Sequence, residues 1–117
     1  SRRVRGLPFW FSLATHGTEA YEEAMEITLQ VARDAAAMVR AAKHLEFVVE
    51  PSLSILVVRR KGWGPADYTK WSDRMLHDGI AFVVPTTHQG ETVLRMCLVN
   101  PRTDPAQMQM LFDSMKD

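Results

Sequence analysis

The run TVLRMCLV at residues 92–99 indicates the fold class of this chain of 117 residues. Aliphatic side chains surround a single charged residue, Arg95, a composition typical of a β-strand that is buried on both faces. The run IAFVV at residues 80–84 has the same character. Because a sheet with one face in water alternates apolar and polar residues, these two strands predict a sheet that is covered on both faces.

Two more strands and four helices complete the predicted architecture. The runs at residues 46–49 and 54–60 form a hairpin-like pair, and residues 86–91 form the loop between the last two strands. The order of elements predicts an α+β fold of two layers, with a four-stranded, mainly antiparallel sheet and helices on one face. The predicted helices are residues 8–14, buried on all sides and ended by Gly17; residues 18–43; residues 66–78; and the segment after Asp104-Pro105.

The composition is that of one soluble globular domain, with 46% hydrophobic and 24% charged residues. Fourteen Lys and Arg balance fourteen Asp and Glu, which argues against nucleic acid and anionic membranes as partners. No apolar run approaches the roughly 20 residues that span a bilayer. The single Cys97 indicates a reducing compartment such as the cytoplasm. The start SRRVR has neither Met nor an export signal, so we expect the chain to be part of a longer protein.

Arg95 is the main candidate binding residue because it breaks the apolar pattern of its strand. Burying a guanidinium without a partner is very unfavourable, so Arg95 needs an acid, a group of carbonyls or an anionic ligand. Its planar fork of donors suits a carboxylate or a phosphate. The structural alternative is an ion pair within the chain, with an acid such as Glu46 or Glu50.

The remaining polar residues are weaker candidates. Thr86, Thr87 and His88 are the candidate rim of a pocket, and the alternative for them is a solvated hairpin loop. The other histidines have no second ligand at metal spacing, so no metal site is predicted. The chain has no Gly-rich phosphate loop and no motif for a Ser or Cys nucleophile, so the residues alone indicate no catalytic group.

Several segments together resemble the group II pyridoxal-phosphate (PLP)-dependent amino-acid decarboxylases, which include the glutamate and aromatic-amino-acid enzymes. The segment SRRVRGLPFW at residues 1–10, then HGT at residues 16–18 and Tyr21, is similar to the stretch that follows the cofactor domain in that family. The run VLRM at residues 93–96, followed by VNPRT at residues 99–103, looks like the family's last strand and the turn into its final helix. The similarity covers nearly the whole chain in order.

The resemblance implies the small C-terminal domain of a fold-type-I enzyme, with residues 1–43 as a helical lead-in and residues 44–117 as the α+β domain. The large domain of the parent chain would cover the second sheet face, hold PLP and supply the Schiff-base lysine, since none of the four lysines here follows a histidine. Arg95 matches an arginine that lies at the substrate carboxylate. The implied parent is a homodimer that releases CO₂ from an L-amino acid such as glutamate or an aromatic amino acid, and the segment alone is inactive.

Two other functions stay open at this stage. A stand-alone α+β binding or dimerisation module predicts a tight dimer and an Arg95 that is paired with an internal acid such as Glu46 or Glu50. A related PLP lyase with another substrate has the same fold as the decarboxylase. The decarboxylase hypothesis instead predicts an exposed apolar sheet face and an Arg95 without an internal partner.

Overall fold

The structure, a computed structural model, describes residues 3–116 and contains three helices and four strands in that range. The strands form one antiparallel sheet in the order β1-β2-β4-β3, which confirms the predicted α+β fold. Ser1 and Arg2, which contribute to the family resemblance, lie outside the described residues. The elements are α1 (Gly6–Ala41), β1 (Leu45–Ser52), β2 (Ile55–Arg60), α2 (Pro65–His77), β3 (Pro85–His88), β4 (Glu91–Cys97) and α3 (Pro105–Asp113).

Helix α1 combines the two helices that the sequence predicts. Gly17 lies inside it with φ 78° and ψ 164°, a conformation that only glycine adopts readily, so the predicted break is a kink. The buried residues of α1 lie in its C-terminal part, between Val31 and Val39. The prediction that residues 8–14 are buried on all sides is wrong within this chain. Phe9 and Trp10 are each 59% exposed, and no residue of α1 before Val31 belongs to the buried core.

The core lies between the sheet and the three helices. Successive residues of a strand point to opposite faces, so alternate residues of β2 and β4 face the helices. Tyr68 of α2 is buried in the core, and its hydroxyl accepts a hydrogen bond of 2.9 Å from the backbone N–H of Arg60 at the end of β2. The principal core side chains are Val39 of α1, Leu56 and Val58 of β2, Trp71 and Met75 of α2, Leu94 and Met96 of β4, and Phe112 of α3.

The third strand lies later in the chain than the sequence predicts. Residues 80–84 are not a strand, because their backbone is bonded to α2: the N–H groups of Ile80 and Ala81 donate to the Met75 carbonyl, at 2.9 and 3.3 Å. The predicted loop at residues 86–91 instead contains most of β3 and a tight turn. Gln89 and Gly90 both have positive φ, as a two-residue hairpin turn requires.

The second sheet face carries none of the described helices, and its residues range from the fully buried Val93 to the exposed Arg95 and Cys97. Val57, Arg95 and Cys97 alternate with core residues and therefore point away from the helices. Val49 and Ile55 are partly exposed apolar residues of the neighbouring strands. The helices thus cover one face only, as the fold class predicts. That another part of the parent protein covers the second face stays a prediction.

Candidate functional site

Arg95 lies near the C-terminal end of β4, opposite Val57 of β2. It is exposed, and its side chain makes no hydrogen bond or ion pair with any of residues 3–116. The two acids that the sequence offers as partners are bonded elsewhere. Glu46 accepts from Arg59, and Glu50 accepts from Arg40. The structure therefore lacks the internal ion pair that the stand-alone module predicts for these two acids.

A cleft of about 410 Å³ lies beside Arg95, between the C-terminal end of β4 and residues 80–83. Residues 80–83 are hydrogen-bonded to α2, so a gap remains between them and the C-terminal end of β4. Met108 and Leu111 of α3 also line this gap. Arg95 is the one charged residue among those that line it. Its apolar lining includes Ile80, Phe82, Met96, Leu98, Met108 and Leu111, and its polar lining includes Cys97, Thr103 and Gln107.

The predicted rim residues do not join this cleft. Thr86, Thr87 and His88 form β3 and pair with the first half of β4, opposite Val93, Thr92 and Glu91 respectively. None of the three lines the Arg95 cleft. The reason is the tight turn at residues 89–90, which brings these residues into the sheet and away from the C-terminal end of β4.

Residues 80–83 are the part of the site that sequence reasoning missed. Their apolar run predicts a buried strand, whereas the structure uses them as the wall of the cleft. Thr103 and Gln107 were missed as well, because the turn before α3 and its first turn reach the cleft only through tertiary packing. Two sequence features bear on the position of residues 80–83 beside α2. They are Gly79, which follows the helix, and the polar residues in the last turn of the helix.

Arg59 binds two carboxylates on the same sheet face as Arg95. Its Nη1 donates to Glu46, and its Nε and Nη2 donate to Glu91. These hydrogen bonds favour the charged forms, so they hold the pKa of Glu91 below its usual range and raise the pKa of Arg59. The pairing occupies the acidic groups of this face, which leaves Arg95 as a cation available to a ligand.

Lowering the pH is expected to weaken folding through Glu91. Because its pKa is lowered in the folded state, its contribution to stability is complete above the unfolded pKa, about 4.3, and is lost as the pH falls through the lower folded pKa. The urea midpoint of Glu91→Gln should therefore change less than that of the wild type between about pH 5 and pH 3. Glu22→Gln, at an exposed position of α1, is the control and should keep the wild-type dependence. Identical curves for Glu91→Gln and the wild type would contradict this prediction.

The lysines of the chain lie away from the cleft. The lysines are Lys43, Lys61, Lys70 and Lys116, and none of them lines the Arg95 cleft. Within residues 3–116, no three His, Cys, Asp or Glu side chains are grouped as metal ligands. Over the same range, no helix combines the length and the apolar character needed to cross a membrane. The cleft combines one cationic residue, Arg95, with a lining of mainly apolar residues.

The chain is similar to curated amino-acid decarboxylases. It is 27% identical over 126 residues to an aromatic-L-amino-acid decarboxylase of Bacillus atrophaeus, and the match covers 99% of this chain and 26% of the relative. It is 26% identical over 103 residues to a histidine decarboxylase of Drosophila melanogaster, covering 88% of this chain and 12% of the relative. The chain thus spans about a quarter or less of the length of these relatives. No family model matches the chain.

The fold of this chain is also similar to part of a solved decarboxylase structure. The structure of tryptophan decarboxylase from Catharanthus roseus, in complex with L-tryptophan, matches with a TM-score of 0.79 at 20% identity. The match covers 98% of this chain and 26% of that chain. The relatives and this structural neighbour are amino-acid decarboxylases, as the resemblance in the sequence predicts, and the fold is that of a part of them.

Proposed function

We propose that this chain is the C-terminal part of a PLP-dependent amino-acid decarboxylase, in which Arg95 binds the α-carboxylate of the substrate. The observation that carries this proposal is Arg95 itself, which is exposed, has no hydrogen-bond or ion-pair partner among residues 3–116, and is the one charged residue that lines the cleft. A guanidinium presents two parallel N–H donors to the two oxygens of a carboxylate. The similarity to decarboxylases along 99% of the chain supports the assignment.

Arg95 would act by fixing the orientation of the substrate. A two-point contact at the carboxylate leaves little freedom of rotation and directs the bond between the carboxylate and Cα. Arg95 is paired with Val57 of β2, and its neighbour Leu94 is paired with both Val58 of β2 and Pro85 of β3, so the sheet holds the backbone that carries Arg95. PLP, when bound, supplies the electron-accepting ring that decarboxylation needs.

The proposed partners are argued from two features of the chain, the lack of a lysine in the cleft lining and the apolar residues at the surface. The large domain of the parent chain would hold PLP, because no lysine lines the Arg95 cleft, and would cover the apolar face around Val49, Ile55 and Val57. Exposed aromatic residues at the start of α1, such as Phe9 and Trp10, supply a further contact surface. We propose a homodimer in the cytoplasm for the parent protein.

The full-length parent protein tests this function. Its visible absorbance reports bound PLP, and CO₂ release from a panel of L-amino acids reports the reaction. Bound PLP together with CO₂ release supports the proposal. Bound PLP without CO₂ from any amino acid contradicts it and favours a related PLP lyase. Absence of PLP, with a tight dimer of the isolated chain, contradicts it in favour of the stand-alone module.

A further inference from the structure

Phe82 is an exposed aromatic residue in the wall of the Arg95 cleft. Its side chain is 74% exposed, although its neighbours Ala81 and Val83 pack against the core. The alternation turns Phe82 outward together with Ile80, which lines the same cleft. An aromatic side chain offers about 150–250 Å² for burial, so this ring provides a large apolar surface for a ligand.

The position of Phe82 is held from both sides. On its N-terminal side, the N–H groups of Ile80 and Ala81 donate to the Met75 carbonyl of α2. On its C-terminal side, the Ser72 hydroxyl donates to the Val83 carbonyl at 2.6 Å. Both anchors belong to α2, so the segment stays with the helix and does not close onto β4. The cleft therefore keeps Arg95 on the wall formed by β4 and Phe82 on the wall formed by residues 80–83.

The charges of the cleft indicate which ligands it accepts. A ligand with one carboxylate pairs with Arg95, and the rest of the molecule meets apolar side chains such as Phe82 and Met108. Arg95 is the one charged residue that this chain contributes to the lining, so the lining favours a ligand with one carboxylate and an apolar remainder. We infer that Phe82 is a specificity-determining residue, which selects substrates with an aromatic or bulky apolar side chain. The inference rests on the proposed function, since it takes Arg95 as the carboxylate site.

Calorimetric binding to the full-length parent protein tests this role without turnover. The ligands are 3-phenylpropionate and propionate, which share the carboxylate and differ in the aromatic ring. In the wild type, 3-phenylpropionate should bind more tightly than propionate, and Phe82→Ala should reduce that ratio at least about tenfold. Val84→Ala is the matched control, because Val84 is exposed in the same segment but does not line the cleft. It should keep the wild-type ratio.

The outcomes separate this inference from the proposed function. A Phe82→Ala variant that keeps the wild-type ratio of the two dissociation constants overturns the inference. So does a variant that weakens both ligands equally and lowers the thermal midpoint, because Phe82 would then be a structural contact. Arg95→Ala should weaken both ligands by the same factor. If it changes neither, the carboxylate site itself is wrong, whatever Phe82 does.

Discussion

Replacing Arg95 with alanine in the full-length parent protein is expected to lower kcat/KM for decarboxylation about 100- to 1,000-fold. The variant leaves the substrate carboxylate without a partner in a cleft that has no second cation. Arg95→Lys keeps the charge but loses the planar fork, so its activity should lie between those of the wild type and the alanine variant. CO₂ release under initial-rate conditions measures all three.

Arg102→Ala is the matched control for the Arg95 variants. Arg102 is exposed in the turn that follows β4 and does not line the cleft. Its removal should leave kcat/KM within about twofold of the wild type, since exposed side chains away from a site contribute little. Wild-type activity in Arg95→Ala, or an equal loss in Arg102→Ala, would show that Arg95 has no specific role.

Replacing Phe112 with alanine is expected to lower the free energy of unfolding by about 3–5 kcal/mol. Phe112 is 1% exposed in the core under the sheet, so the variant loses its burial and leaves a cavity. The hydrogen bond between the His44 side chain and the backbone carbonyl of Phe112, at 2.9 Å, does not depend on the Phe112 side chain. Urea unfolding of the 117-residue chain, followed by tryptophan fluorescence, measures the change.

Two further variants serve as controls for the Phe112 prediction. Phe112→Leu keeps most of the volume and should cost less than the alanine variant, which gives a reading even where the alanine variant does not fold. Met110→Ala, two residues away on α3 and 51% exposed, should stay within about 0.5 kcal/mol of the wild type. A loss in Met110→Ala as large as in Phe112→Ala would mean that α3 does not pack as described.

The elements with strong local signals could be predicted from the sequence. Helix α3 begins where Asp104 and Gln107 form a capping box around Pro105, and the structure shows both capping bonds. The hairpin of β1 and β2 follows from two β-branched runs, although residues 50–52 between these runs belong to β1 and the turn lies at residues 53–54. The kink of α1 lies at Gly17 because this position requires a positive φ.

The third strand could not be placed correctly because two local patterns compete there. The apolar run at residues 80–84 has the composition of a strand, but its backbone bonds go to Met75 and Ser72 of α2. Thr86 and Thr87 were predicted in a loop because they belong to the polar segment that contains Gln89 and Gly90, yet the turn at residues 89–90 pairs them with β4. Hydrogen bonds to the preceding helix and the tight turn before β4, rather than apolar composition, decide here which residues form the strand.

Some residues of the candidate site could be predicted from the sequence, and others could not. Arg95 could be found because a lone charge in an apolar strand violates the local pattern. Phe82, Thr103 and Gln107 carry no such signal, since each is ordinary for its own segment and reaches the cleft only through packing. Thr86, Thr87 and His88 were predicted near the site from their place in a loop, and the register of β3 separates them from it.

The measurement that tests the role of Arg95 without relying on turnover compares a carboxylate with its neutral amide. The dissociation constants of 3-phenylpropionate and 3-phenylpropanamide are determined for the full-length wild type and for Arg95→Ala. We predict that the wild type binds the carboxylate at least about tenfold more tightly than the amide, and that Arg95→Ala abolishes this preference. An unchanged preference in Arg95→Ala would contradict the assignment of Arg95 as the carboxylate-binding residue.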